Sequence, residues 1–135
     1  MTLPLRATII EVGPRDGLQI EKQQIPAEAK VRLVDLLTEA GVPRIEVTSF
    51  VHPKHVPQMA DAEEVLARIQ RRPGTKYEAL VPNVRGIERA LKCRVDRIVL
   101  FVAASESFNQ KNLRAFFFQA VIRKPHFKIL IMMFD

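Results

Sequence analysis

The chain has a single cysteine, Cys93, in 135 residues. That excludes an internal disulfide and fits a reducing compartment. No run approaches the ~18 consecutive apolar residues of a membrane span. The N-terminus, MTLPLRATII, lacks the long apolar core of a secretory signal and the Arg/Ser-rich character of a transit peptide, so a cytoplasmic location is expected. Acidic residues are in the minority, 15 against 21 Lys and Arg, for a net charge of +6. An excess of this sign invites a nucleic-acid reading, but through most of the chain the bases are interleaved with acids. The densest basic stretch, RIQRRPGTK, ends a predicted helix, where cations complement the helix dipole. Neither a nucleic-acid nor a membrane partner is expected.

What is present is one domain's worth of chain with 47% apolar residues, enough to bury a core. Residues 7–12, ATIIEV, read as a β-branched strand stopped by Gly13-Pro14. Residues 27–40 read as a helix with Leu33, Val34, Leu37 and Ala40 on one face, Pro26 in its first turn and Gly41 as its C-cap. PRIEVTSF is a second strand. Asp61 and Glu64 have the spacing of a capping box, opening a helix with Val65, Leu66 and Ile69 on one side. KYEALV is a third strand, Pro82-Asn83 caps a third helix with Val84, Ile87 and Leu91 at helical spacing, and DRIVLFVAA is a fourth strand.

The order βαβαβαβ predicts an α/β fold with parallel pairing. An open doubly wound sheet and part of a (β/α)8 barrel both fit, and alternation favours the barrel. Ile45 and Val47 point one way, Glu46 and Thr48 the other, and Glu11 opposes Ile10 and Val12. Polar inward residues near the C-terminal ends of the strands suit a barrel, whereas a central strand of an open sheet is apolar on both faces. A full barrel needs roughly 250 residues, so the expectation is the N-terminal half of a (β/α)8 TIM barrel. Its open sheet edges would need covering, and a homo-oligomer is one way to close them.

Residues 114–135 differ from the rest. They hold five of the eight phenylalanines and the apolar run ILIMMF. No clean helical period follows Asn112. A buried strand or an irregular helix is one reading; the preferred one divides the chain into a partial barrel domain, 1–113, and an atypical, frameshift-like tail, 114–135. Such a segment, when exposed, is prone to aggregate.

Arg15 and Asp16 stand at the C-terminal end of the first strand. A carboxylate there suits a hard divalent cation and an adjacent guanidinium suits an anionic intermediate; a simple loop salt bridge is the alternative. If Glu11 and Glu46 face inward, each needs a partner, and Arg15 is the nearest for both. His52 and His55 have a spacing that suggests metal, but a surface loop accounts for them better. Cys93 reads as a small packing residue.

The motifs GPRDGLQ with Glu21-Lys22, AGVPRIEVTSFVHPKHVPQM, PNVRGIERAL and SESFNQKN, in that order, resemble the hydroxymethylglutaryl-CoA lyase family, metal-dependent carbon–carbon lyases on a TIM barrel. The resemblance runs from about Ile9 to Asn112. It implies cleavage of a 3-hydroxy-3-methylglutaryl-CoA thioester to acetoacetate and acetyl-CoA, as in leucine degradation and ketone-body metabolism. It implies Mg²⁺ or Mn²⁺ with Asp16 as a ligand, Arg15 neutralising the enolate oxygen, and Glu46 orienting Arg15. Gln19 and Ser49 would lie at the substrate, Glu11 would support the polar network, and Lys111 and Asn112 would lie near the CoA.

The family's His-x-His ligands, its late asparagine ligand and its glycine-cysteine loop are not in this sequence; His126 stands alone in the tail. The expectation is a truncated reading frame whose product is inactive alone. A Claisen-type acyl-CoA synthase relative and a non-catalytic basic binding protein are the alternatives.

Overall fold

The computed structural model describes residues 5–103 and 129–134, the side chains of 101–103 and 129–134 excepted. Three helices alternate with strands: α1 (Ala27–Glu39), β1 (Arg44–Ser49), α2 (Ala62–Arg68), β2 (Lys76–Leu80), α3 (Val84–Lys92) and β3 (Arg97–Ala103), followed by β4 (Ile129–Phe134). All strand pairs are parallel, and the sheet order is β1-β2-β3-β4. Each strand lies beside its sequence neighbour. The order never reverses, so the sheet has no switch point of the doubly wound kind. It is an arc of a barrel.

The expected first strand shrinks to one position. Only Glu11 pairs, as a parallel bridge to Ile45. Its N–H donates to the Arg44 carbonyl at 2.9 Å and its carbonyl accepts from the Glu46 N–H at 2.8 Å. Residues 6–9 are exposed, and β-branched composition does not extend a ladder that is paired on one side at a single residue.

The core lies between the sheet and its helices. Ile45 and Val47 of β1, Tyr77, Ala79 and Val81 in and after β2, and Ile98 and Leu100 of β3 pack on Val34, Ala62, Val65 and Leu66. The face predicted for α2 is buried as expected, Ile69 included. On α1 the buried stripe is Lys30, Val34 and Thr38; Leu33 is half-buried and Ala40 exposed. Thr38 takes the place expected of an apolar residue because its hydroxyl donates to the Val34 carbonyl at 2.8 Å, leaving its methyl for the core. On α3 the buried residues are Gly86 and Ala90, while Val84 and Leu91 are exposed. The helix sits so close to the sheet that a Cβ on Gly86 would lie 2.9 Å from Val81 and 3.3 Å from Phe50.

Caps divide in the same way. The Asn83 side chain accepts from the Gly86 N–H at 2.9 Å, as predicted. Asp61 precedes α2 but makes no cap hydrogen bond; its carboxylate is held by Lys30. Gly41, with φ +78°, closes α1 in the left-handed conformation that favours glycine.

The tail run ILIMMF forms β4, in register with Ile98–Ala103 of β3. This is the strand reading of that segment. Lys111, Asn112, His126 and the 113/114 boundary lie outside the described residues. No helix among the described residues is long and apolar enough to cross a membrane.

Candidate active site

Gly13–Gly17 make one wide helical turn directly after the Glu11 bridge. The Leu18 N–H reaches back five residues to the Gly13 carbonyl, the π-type geometry that recurs at functional sites. Pro14 fits the start of the turn, where its missing N–H costs nothing. Gly13 leaves room for the Glu11 carboxylate: a Cβ there would lie 2.8 Å from its Oε1 and would push that side chain aside.

The turn buries Arg15 and exposes Asp16. Arg15 Nε donates to Glu46 Oε1 at 2.6 Å, and a terminal nitrogen donates to Asp16 Oδ1 at 2.7 Å. The side chains of Arg15 and Glu46 are only 8% and 2% exposed, whereas that of Asp16 is 60% exposed. The guanidinium is thus fixed from below by a buried carboxylate and bridged to an open one. Burial raises the Glu46 pKa above its ordinary value, with Glu78 and Asp16 adding to the rise; the Arg15 hydrogen bond and charge oppose it without cancelling it.

Arg15, Asp16 and Glu46 are therefore brought together as expected. Glu11 is not a partner of Arg15. Its Oε1 accepts from the Gly13 N–H at 2.6 Å, so it shapes the turn rather than holding the guanidinium. Gln19, half-buried one turn on, shares no hydrogen bond with Arg15, Asp16 or Glu46 among the described residues.

Ser49 reaches the site through a device that alternation does not predict. The β1–β2 register runs Glu46↔Glu78, then Thr48↔Ala79 and Ser49↔Leu80, with a bulge between Glu46 and Thr48. The extra residue turns Thr48 to the helix side, where its hydroxyl meets Met59 Sδ at 3.6 Å, and brings Ser49 onto the face of Glu46. Thr48 was expected on that face and is not there. Ser49 is fully buried, and its Oγ has no hydrogen-bond partner among the described residues, a state that calls for a polar group beside it.

A second ion pair on this face escaped the sequence reading. Glu78, fully buried, accepts from Arg44 Nε at 2.5 Å and from a terminal nitrogen of Arg44 at 2.9 Å, with Arg97 3.8 Å away. KYEAL alternates as RIEVT does, and that was the available signal. Away from this face, His52 and His55 are exposed; their rings meet edge-on at 5.9 Å, and His52 Nδ1 accepts from the Lys54 N–H at 3.2 Å. Burial raises the Cys93 thiol pKa, helped by Glu63, which makes it a poor nucleophile.

A hard divalent cation takes about six oxygen donors. Asp16 offers one carboxylate, and among the described residues no three His, Cys, Asp or Glu side chains gather to hold a metal. The described residues do not form a cation site by themselves.

The HMGL-like family model matches residues 6–124. The chain belongs to the HMGL-like family. It is 54% identical over 112 residues to the mitochondrial hydroxymethylglutaryl-CoA lyase of Rattus norvegicus, covering 83% of this chain and 34% of the relative. It is 55% identical over 113 residues to the 3-hydroxy-3-isohexenylglutaryl-CoA/hydroxymethylglutaryl-CoA lyase of Pseudomonas aeruginosa, covering 84% of this chain and 38% of that one. The crystal structure of hydroxymethylglutaryl-CoA lyase from Pseudomonas aeruginosa superimposes with a TM-score of 0.80 at 52% identity, over 89% of this chain and 40% of the other. The HMGL-like chain thus spans between a third and two-fifths of the length of these relatives, and its fold is a part of their barrel.

Proposed function

We propose that this HMGL-like chain carries the arginine side of a carbon–carbon lyase site that cleaves a 3-hydroxy-3-methylglutaryl thioester of CoA to acetoacetate and acetyl-CoA. The observation that supports it best is the Arg15 guanidinium, buried, aimed by Glu46 and still bearing N–H groups beyond those used on Glu46 and Asp16. In the reaction the substrate hydroxyl loses its proton and becomes a ketone carbonyl as the adjacent carbon–carbon bond breaks. The electron pair moves onto the thioester oxygen as an enolate, which then takes a proton on carbon. Arg15 is the group suited to that oxygen. Glu46 keeps the guanidinium from turning, and the Ser49 hydroxyl on the same face, without a partner among the described residues, is suited to a substrate oxygen.

Mg²⁺ or Mn²⁺ belongs to the same reading as the group that would polarise the hydroxyl and carbonyl oxygens. Asp16 is this chain's contribution, and the remaining donors have to come from outside the described residues. The chain alone is therefore expected to release no acetoacetate. Gln19 at the substrate, a cytoplasmic setting, a role in leucine degradation and ketone-body metabolism, and a homo-oligomer are further parts of the proposal. The two relatives named above are lyases, 54% and 55% identical to this chain over 112 and 113 residues, which favours the lyase over a Claisen-type synthase.

The test is a chimera. Residues 6–113 replace the corresponding segment of the Pseudomonas aeruginosa lyase, and acetoacetate release from the thioester is measured. Retained activity that falls on the order of a hundredfold or more in Arg15→Gln supports the reading. A folded chimera that is inactive, or one indifferent to Arg15→Gln, overturns it.

A further inference from the structure

Lys30 lies on the buried face of α1, 4% exposed, and has no contact with the Arg15 cluster. An ammonium taken this far from water has to find acceptors for its three protons. Nζ donates to both carboxylate oxygens of Asp61, at 2.7 and 2.8 Å, and to the backbone carbonyl of Gln58. All three acceptors belong to the connection between β1 and α2. The Gln58 side chain then continues the chain of contacts, its Nε2 donating to the Glu21 carbonyl at 2.9 Å. Glu21 lies in the loop that leaves the Arg15–Asp16 turn.

A helix residue thus grips one loop, and that loop grips the other. Asp61 stands where its carboxylate would cap α2, yet it is turned to Lys30 and α2 begins without a side-chain cap. A cap is ordinarily worth about 1 kcal/mol, so the local preference has yielded to the longer-range contact.

We propose that Lys30 is a positioning residue which, through Asp61 and Gln58, fixes the loop after the Arg15–Asp16 turn against the loop after β1. Both loops leave the C-terminal edge of the sheet, where Arg15, Asp16 and Ser49 lie. Lys30 sets how far apart they stand, without touching anything that reacts. The bearing on turnover rests on the lyase reading; the coupling between loops does not, and it can be read without turnover.

The experiment is amide hydrogen exchange on the full 135-residue chain, comparing wild type with Lys30→Met, Lys30→Arg and Gln58→Ala. Lys30→Met leaves the half-buried Asp61 carboxylate without its cation. Exchange at residues 54–61 and 18–22 is expected to rise on the order of a hundredfold, while Ala79 and Ile98 in the sheet keep their protection. Lys30→Arg, which retains charge and donors, is expected to return both loops toward wild type; a Lys30 that only filled space would be replaced better by Met. Gln58→Ala removes only the second link and is expected to raise exchange about fivefold at residues 18–22 alone. The proposal is overturned if residues 18–22 do not respond to Gln58→Ala, a result that decides the matter even if Lys30→Met does not fold. It is also overturned if Lys30→Met accelerates the sheet and the loops together. Acetoacetate release by the chimera is independent of either outcome, so a failure here and a failure of the lyase reading are told apart.

Discussion

Two arginine–carboxylate pairs share the inner face of the sheet, and they are built differently. Glu46 and Glu78 are register partners on adjacent strands, both essentially out of contact with water. Arg44 meets Glu78 through two nitrogens and both carboxylate oxygens, the parallel fork geometry of a strong pair. Arg15 gives Glu46 one hydrogen bond and Asp16 another. The first arrangement is closed. The second spreads one guanidinium over two carboxylates, one of them exposed and available to something else. Being buried and paired does not distinguish a structural ion pair from a working one; a second, solvent-facing carboxylate on the same guanidinium does.

The comparison is broken most directly at its closed half. Glu78→Ala leaves Arg44 among buried neighbours with a charge it cannot lose. The expected loss is about 3–5 kcal/mol, measured as a shift in denaturant midpoint at constant slope. Arg15→Met is expected to cost less, about 1–3 kcal/mol, because Glu46 can take up a proton where Arg44 cannot release one. If Arg15→Met is as destabilising as Glu78→Ala, the contrast between the pairs fails. The same variant removes both influences that lower the Glu46 pKa, so the carboxyl titration of Glu46, followed by carbon NMR, is expected to move further up.

Glu46→Gln sharpens the comparison through pH. The folded-state pKa of Glu46 is raised above its ordinary value of 4.5. Between those two values the folded chain holds more protons than the unfolded one, so stability falls as pH rises through the window. Glu46→Gln lacks this term. Its stability relative to wild type is expected to improve from the acid side to the neutral side of that window, and a difference that stays flat or runs the other way would count against a raised Glu46. The smallest effect is expected at the open end. Asp16→Asn, at a side chain 60% exposed, should change stability by no more than about 0.5 kcal/mol, while in the chimera it should lower acetoacetate release.

The parts of this fold that were legible in the sequence are those where local chemistry and tertiary contact agree. Gly41 ends α1, Asn83 caps α3, and Val65, Leu66 and Ile69 form the buried side of α2 as their spacing indicates. Arg15, Asp16 and Glu46 were legible because a Gly-Pro stop after a strand and an inward glutamate each require an answer, and one guanidinium answers both. What was not legible depends on distant partners. ATIIEV has the composition of a strand but too little ladder to be one. Asp61 has the spacing of a cap, but a buried ammonium 31 residues earlier outcompetes the backbone N–H. Glu78 alternates as Glu46 does, but no Gly-Pro turn beside it drew attention to its pair.

The bulge in β1 has a consequence for anyone who moves this site between proteins. Glu46 and Ser49 are an odd number of residues apart, which on a regular strand would set them back to back. Here the irregularity makes them neighbours on one surface. Transplanting RIEVTS into another parallel barrel by matching alternate positions would carry every letter of the motif and lose its meaning, with the hydroxyl delivered to the helices. The unit to transplant is the six residues together with their misfit against β2, and a one-residue deletion between Glu46 and Ser49, which removes the misfit, should leave the serine on the face of Glu46 by simple alternation.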